Sequence, residues 1–177
     1  MIRSKIKTIA VLLSPLLLLL AFAFAPASAN SPAHRGWDDG GRHCVPVGGS
    51  LITNFGAFGS SDPNTTLGPA TGDLRGAVSG SLLGAPQPSG SHVVFHVQHH
   101  WVTESGDTIT FDPATATTVP LSQTRFAIVT YPVHITGGTG KFAGATGDVN
   151  TIGEVDLTGG TVFRYTGQVC YADSNDR

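Results

Sequence analysis

Apolar and polar residues alternate in short runs along most of this chain. Between Gly72 and Leu83, Leu74, Gly76, Val78, Gly80 and Leu82 fall on one side and Asp73, Arg75, Ala77, Ser79 and Ser81 on the other. That pattern predicts a half-buried strand with small inward residues. Ser91–Thr103 (SHVVFHVQHHWVT) repeats it with larger side chains: Val93, Phe95, Val97, His99 and Trp101 share one face, and His92, Val94, His96, Gln98 and His100 the other. A hairpin turn at Glu104–Asp107 leads to a return strand at Thr108–Phe111. Cys44–Phe55 predicts a first strand whose Gly48-Gly49 pair fits a bulge or a barrel corner. Arg125–Ile135 is apolar on both faces and reads as one long central strand, with a bulge or an unpaired side at Pro132. Asp148–Leu157 and Thr161–Tyr171 form a last hairpin across Thr158-Gly159-Gly160. By composition, Gly56–Thr71, Ala85–Gly90 and Pro113–Gln123 read as loops or an irregular edge. The total is about eight strands, with no sustained helical period beyond the first 29 residues and no internal repeat.

The last hairpin is preceded by Ile135–Gly147, ITGGTGKFAGATG, the most distinctive stretch of the chain. Gly137, Gly138, Gly140, Gly144 and Gly147 let the backbone reverse tightly, and Phe142 is the one large apolar side chain among them. Burying that ring pins the turn to a core, worth roughly 2–3 kcal/mol. Gly140-Lys141 looks like the end of a phosphate loop. That motif needs a glycine five positions earlier and Ser or Thr after the lysine, and this chain has Ile135 and Phe142 there. No helical pattern follows, which also disfavours a dinucleotide fingerprint.

GGTGKFAGATG resembles the glycine-rich signature of the allene oxide cyclase and dirigent families, and many secreted bacterial proteins carry a similar run. The resemblance covers about eleven residues; flanking strands match in pattern rather than in letters. It implies an all-β fold, a single closed antiparallel barrel of about eight strands (calycin-like), with an apolar cavity and often a trimeric assembly. Barrels of these families hold a hydrophobic substrate in a chosen conformation. None of their functional residues transfers onto this chain.

The beginning of the chain adds a compartment. Arg3, Lys5 and Lys7 precede an apolar run, Ile9–Ala25, interrupted by Ser14 and Pro15, and Ala27-Ser28-Ala29 supplies a small-residue cleavage pattern. These features predict a secretory signal peptide over 1–29 rather than a lasting membrane anchor, followed by a flexible leader at 30–43 and a barrel domain at 44–172. Losing the signal segment leaves seven basic residues against twelve acidic ones, so the net charge moves from −2 to about −5. That balance disfavours nucleic acid and anionic membrane surfaces as partners. In an oxidising compartment Cys44 and Cys170 read as one disulfide, the alternative being two buried thiols. A bridge would set the first strand beside the last, as a closed barrel does; a sandwich can also bring its termini together.

Chemistry-bearing residues are few. His92, His96 and His100 stand roughly 13 Å apart at successive four-residue steps, so they cannot share an ion, and His99 and His100 point to opposite faces. The expectation is no metal and no cofactor, with the outward histidines forming a polar ladder. His99 lies on the apolar face with Trp101, and both are expected at one mouth of a cavity, where His99 reads as a satisfied core histidine or else as a general base or ligand-orienting group; Tyr131 and Tyr165 offer hydroxyls to the same cavity, and core packing explains those two equally well. Glu154 and Asp156 share a face opposite Val155 and Leu157, with Arg164 across the hairpin, an arrangement that reads as a solvated cross-strand ion pair. Asn64-Thr65-Thr66 is a glycosylation sequon in form. Three functions follow: a secreted barrel that binds or steers an apolar small molecule, an isomerase or cyclase using His99 and a tyrosine, or a solidly packed structural or envelope protein. A cavity above roughly 300 Å³ separates the first two from the third.

Overall fold

The computed structural model describes residues 42–172. Its strands are β1 (Arg42–Phe55), β2 (Thr65–Ala70), β3 (Gly76–Leu82), β4 (Gln87–Ser89), β5 (His92–Thr103), β6 (Thr108–Phe111), β7 (Ala114–Pro120), β8 (Arg125–Thr130), β9 (Pro132–Gly138), β10 (Thr146–Asp156) and β11 (Gly160–Ala172). Short 3-10 turns occupy Ala57–Gly59 and Gly140–Phe142. The expected signal segment and all of the leader except Arg42 and His43 lie outside the described residues. Those two residues already belong to β1, which begins two positions before Cys44.

Every strand pairing is antiparallel, and the sheet closes on itself. β1 pairs with β2 on one edge and β11 on the other; β3 joins β2 to β5, and β10 joins β11 to β8 and β9. The circle is completed because β5 pairs with both β6 and β7, β6 pairs with β9, and β7 pairs with β8. β6 and β7 are therefore two halves of one stave, and β8 and β9 two halves of another. β4 continues the β3 stave along β5. The eleven strands make eight staves, and the fold is a closed eight-stave antiparallel barrel.

Several sequence boundaries change. Arg125–Ile135 is not one strand: it breaks at Tyr131-Pro132, where its second edge passes from β7 to β6. A proline, lacking an N–H for the ladder, stands at each stave break, Pro113 and Pro132. The expected loops at Gly56–Thr71 and Pro113–Gln123 contain β2 and β7, and Ala85–Gly90 contains β4. β7 (ATATTVP) turns only alanines and a threonine inward, so it shows no hydrophobic alternation to read. Register also runs unbroken through Gly48-Gly49, while the irregularities fall at Thr110/Phe111 and Thr117/Thr118.

Inward alternation builds the core. Val47, Leu51, Val78, Phe95, Trp101, Ile135, Val149, Phe163 and Tyr165 are among its buried residues. At one end Cys44 and Cys170 face each other in the β1–β11 register and are joined as a disulfide, so the first and last staves are covalently tied neighbours. The glycine-rich turn caps that same end. Phe142 is fully buried there, packed against Tyr171 at 5.6 Å between ring centroids. Gly140 adopts φ +54°, and a Cβ there would lie 1.8 Å from the Asp107 carboxylate, so any side chain would strain the backbone and displace Asp107.

Candidate functional site

The barrel has a plugged base and an open mouth. Trp101, on β5, and Tyr165, on β11, meet edge to face at 5.4 Å in the base. Their polar atoms are spent on the turn between β2 and β3. The Trp101 indole N–H donates to the Leu74 carbonyl at 2.7 Å; the Tyr165 hydroxyl donates to the Thr71 carbonyl at 2.9 Å and accepts from the Leu74 N–H at 3.0 Å. Gly49 makes this approach possible, since a Cβ would sit 1.9 Å from the Thr71 carbonyl and 2.6 Å from the Tyr165 hydroxyl. Burial raises the Tyr165 pKa.

From the other end a funnel descends between Phe55, Leu82, Ile128 and Leu157 at the rim, past Phe95 and Val97, to His99 and Tyr131. Its cavity volume is about 60 Å³. That volume falls short of the 300 Å³ that would admit a drug-sized molecule, the outcome expected of the solidly packed reading. It has room for several waters or for the tail of a slender ligand. Below the His99–Tyr131 level a void of about 20 Å³ reaches Trp101, Phe111 and Tyr165. The loops around the mouth carry exposed Phe58, Leu83 and Leu121.

The four sequence candidates thus divide. His99 and Tyr131 meet at the floor of the funnel; Trp101 and Tyr165 form the base plug rather than a mouth, because β5 runs from the mouth at His92 to the base at Thr103. His99 comes from mid-β5 and Tyr131 from the break between β8 and β9, which frees its side chain to turn inward. The Tyr131 hydroxyl lies 2.6 Å from His99 Nε2. The ring packs beside Gly80, where a Cβ would stand 3.5 Å from the other imidazole nitrogen. With its proton on Nδ1 the ring accepts from the Tyr131 hydroxyl at Nε2, and with its proton on Nε2 it donates to the phenol oxygen. His99 and Tyr131 are also within aromatic contact, 5.6 Å between centroids. What surface His99 keeps opens on the cavity it lines.

Burial sets both titrations. It lowers His99 from 6.5 to about 4, the Ser79 hydrogen bond opposing and neighbouring His100 adding slightly. It pushes the Tyr131 phenol well above its usual range. At neutral pH both groups are uncharged. An unfolded chain protonates this histidine near pH 6.5, so between there and pH 4 the unfolded state binds more protons than the barrel. Stability is full above pH 6.5 and falls as pH drops toward 4, by on the order of 3 kcal/mol from this residue. Denaturant titrations at pH 7 and pH 4 measure it, and His99→Gln flattens that part of the profile; an equally steep profile in the variant refutes the assignment.

Three side chains escaped the sequence reading. Thr53 and Thr161 share a hydrogen bond of 2.7 Å between hydroxyls on the β1–β11 wall of the funnel, and Phe163 packs edge-on against Tyr131 at 6.1 Å. Inward parity on β1 and β11 was the available signal. Glu154 pairs with Arg125 on β8, not with Arg164, because the β10–β11 register sets Arg164 opposite Ile152. His134 pairs on the outer wall with Asp148 at 2.8 Å, half exposed. His92, His96 and His100 stand on that outer wall of β5, and His96 Nδ1 lies 3.2 Å from the Thr115 hydroxyl. Among the described residues no three His, Cys, Asp or Glu side chains are grouped to hold a metal ion, and no helix is long and apolar enough to cross a membrane.

No protein-family model matches the chain, and no curated protein does. Among solved structures the chain is similar to the pterocarpan synthase dirigent protein GePTS1, at 15% identity and a TM-score of 0.43, over 78% of this chain and 90% of that one. That neighbour is a dirigent protein, one of the two kinds the glycine-rich turn resembles. The barrel assignment itself rests on the closed pairing of the staves.

Proposed function

We propose that this is a secreted barrel that binds a slender apolar molecule through its open mouth and holds it against the His99–Tyr131 pair. The observation that carries the reading is the funnel: largely apolar walls, broken by the Thr53–Thr161 hydroxyl pair, descending to the hydrogen-bonded His99–Tyr131 pair. Ligand sites have this character, apolar lining with a few placed polar groups. The signal pattern at 1–29 and the Cys44–Cys170 bridge support an oxidising compartment. Exposed apolar side chains on the outer wall, Ile52 on β1, Ile152 on β10 and Val162 on β11, support association of several copies, which sedimentation of the purified domain measures.

Ala116 is buried, faces the funnel from β7, and has no polar role. Ala116→Leu fills the cavity at a stability cost of about 1–3 kcal/mol. Binding of an apolar fluorescent dye is expected to weaken at least roughly tenfold, the worth of about 1.4 kcal/mol. Unchanged dye binding in a folded variant refutes the interior as the site.

The isomerase reading has one observation in its favour, the 2.6 Å contact between Tyr131 and His99. The titrations weigh against it. A base held to about 4 and a phenol pushed above its usual range are both poorly matched to proton transfer near neutral pH. The pair is built to orient a bound molecule.

A further inference from the structure

We infer that the mouth end of the barrel docks on an electrically neutral lipid surface, its loop tips dipping among the headgroups so that the funnel opens toward the lipid. This goes beyond the reading of the funnel as a ligand site and stands without it. The two ends of the barrel differ in what their loops carry. At the base, loops 71–75, 104–107 and 139–145 hold Asp73, Arg75, Glu104, Asp107 and Lys141, and they expose no large apolar side chain. At the mouth, loops 56–64, 83–86, 121–124 and 157–159 hold one charged residue, Asp62, and expose Phe58, Leu83 and Leu121. The Asp62 carboxylate is turned back on its own loop, accepting from the Asn64 N–H at 2.9 Å and from the Thr65 hydroxyl. The charges on the strand ends nearby are engaged as well: Arg125 pairs with Glu154, and Asp156 accepts from the Thr158 N–H and hydroxyl.

Phe58 is the residue the barrel itself does not explain. Among the described residues it is the one non-glycine with a left-handed backbone, φ +57°, and its side chain is 88% exposed. A bulky residue is strained there, and glycine would not be. The ring does not line the funnel, so neither core nor cavity offsets the strain. An apolar phase beyond the rim does. A lipid surface fits the arrangement better than a protein partner. The exposed tips stand on three separate loops around an opening, spaced by Ser, Thr, Gly and Gln, whereas a protein interface needs a continuous packed centre. Separate apolar tips enter a fluid phase without shape complementarity. With no Lys in these loops and an acidic net charge, an anionic surface repels the protein. The rest of the chain starts from the far end, since Arg42 and Ala172 both lie at the base. Trp37, the one large apolar side chain in 30–41, is five positions before Arg42 and reaches no more than roughly 18 Å from it. The rim lies thirteen residues along β1 in the other direction, roughly 43 Å.

Flotation of the mature protein, residues 30–177, with phosphatidylcholine vesicles tests this. The protein is expected to float with them, and less so when phosphatidylglycerol is mixed in. Phe58→Gly and Leu121→Ser should each weaken partitioning by roughly tenfold. Phe58→Gly removes the left-handed strain, so its Tm should hold or rise while vesicle binding falls, which a merely structural role would not give. Val102→Ser, on the outer wall toward the base, should float like the parent. A parent protein that stays off the vesicles, or a Phe58→Gly variant that floats as well as the parent, overturns the inference. So does a Phe58→Gly variant whose sedimenting mass falls in lipid-free solution, because the rim would then be a contact between copies. Ala116→Leu, aimed at the interior, should still float. Loss of the ligand reading through its dye test leaves the flotation result where it is, so the two fail separately.

Discussion

Opening the Cys44–Cys170 bridge, by reduction or by replacing both cysteines with alanine, lowers the stability of the barrel by about 5 kcal/mol. The bridge spans 126 residues of sequence, nearly the whole domain, so cutting it restores most of the freedom of the unfolded chain. The folded barrel changes little, because Cys44 and Cys170 are already opposite each other in a register that runs from Arg42↔Ala172 to Asn54↔Gly160. In a domain of this size the loss shows as a fall in Tm on the order of 15 °C. The double alanine variant should retain its far-ultraviolet β spectrum below the new transition. A shift of only a degree or two would mean that the bridge does not close the barrel.

Phe142→Ala is expected to cost about 3–5 kcal/mol, read as a lower denaturant midpoint at an unchanged slope. The ring is fully buried at the base, against Tyr171, with the Lys141 ammonium 5.0 Å from its centroid. Around it the backbone is held by tight corners. Gly138 leaves no room for a Cβ, which would meet the Phe142 Cβ at 2.8 Å and the Thr108 carbonyl at 2.0 Å, so the turn cannot slide to fill the hole. Phe142→Leu, which keeps much of the volume, should lose far less. A penalty below about 1 kcal/mol for the alanine variant would show that the glycine-rich turn is not anchored through this ring. Because the turn closes the base, dye binding at the mouth should survive in whatever fraction remains folded.

That separation explains what the glycine-rich stretch can and cannot say. Its spacing announces a tight, aromatic-pinned corner, and the corner is where the spacing predicts. The candidate ligand site is at the other end of the staves, built from residues with no motif: a histidine in mid-strand, a tyrosine at a stave break and a glycine opposite it. Strands with large alternating side chains, such as β5 and β11, were legible because inward burial of every second residue leaves a period-two signature. β2 and β7 were not. Their inward residues are Thr, Gly or Ala, and what makes them strands is a neighbour on each side offering a ladder.

Local chemistry along the chain determined the alternation, the hairpin turns, the all-β class and the pairing partners available to two cysteines, since each depends on residues a few positions apart or on there being one other thiol. Tertiary structure alone decided which stave Glu154 leans on, that Trp101 and Tyr165 plug a base instead of lining a mouth, and that Tyr131 reaches His99. Those contacts are set by barrel register and by the breaks at Pro113 and Pro132, which rotate side chains about the axis by amounts that depend on every pairing around the closed sheet. A one-residue slip of β5 would turn His99 outward, and one of the β8–β9 stave would do the same to Tyr131, leaving the funnel without its polar floor.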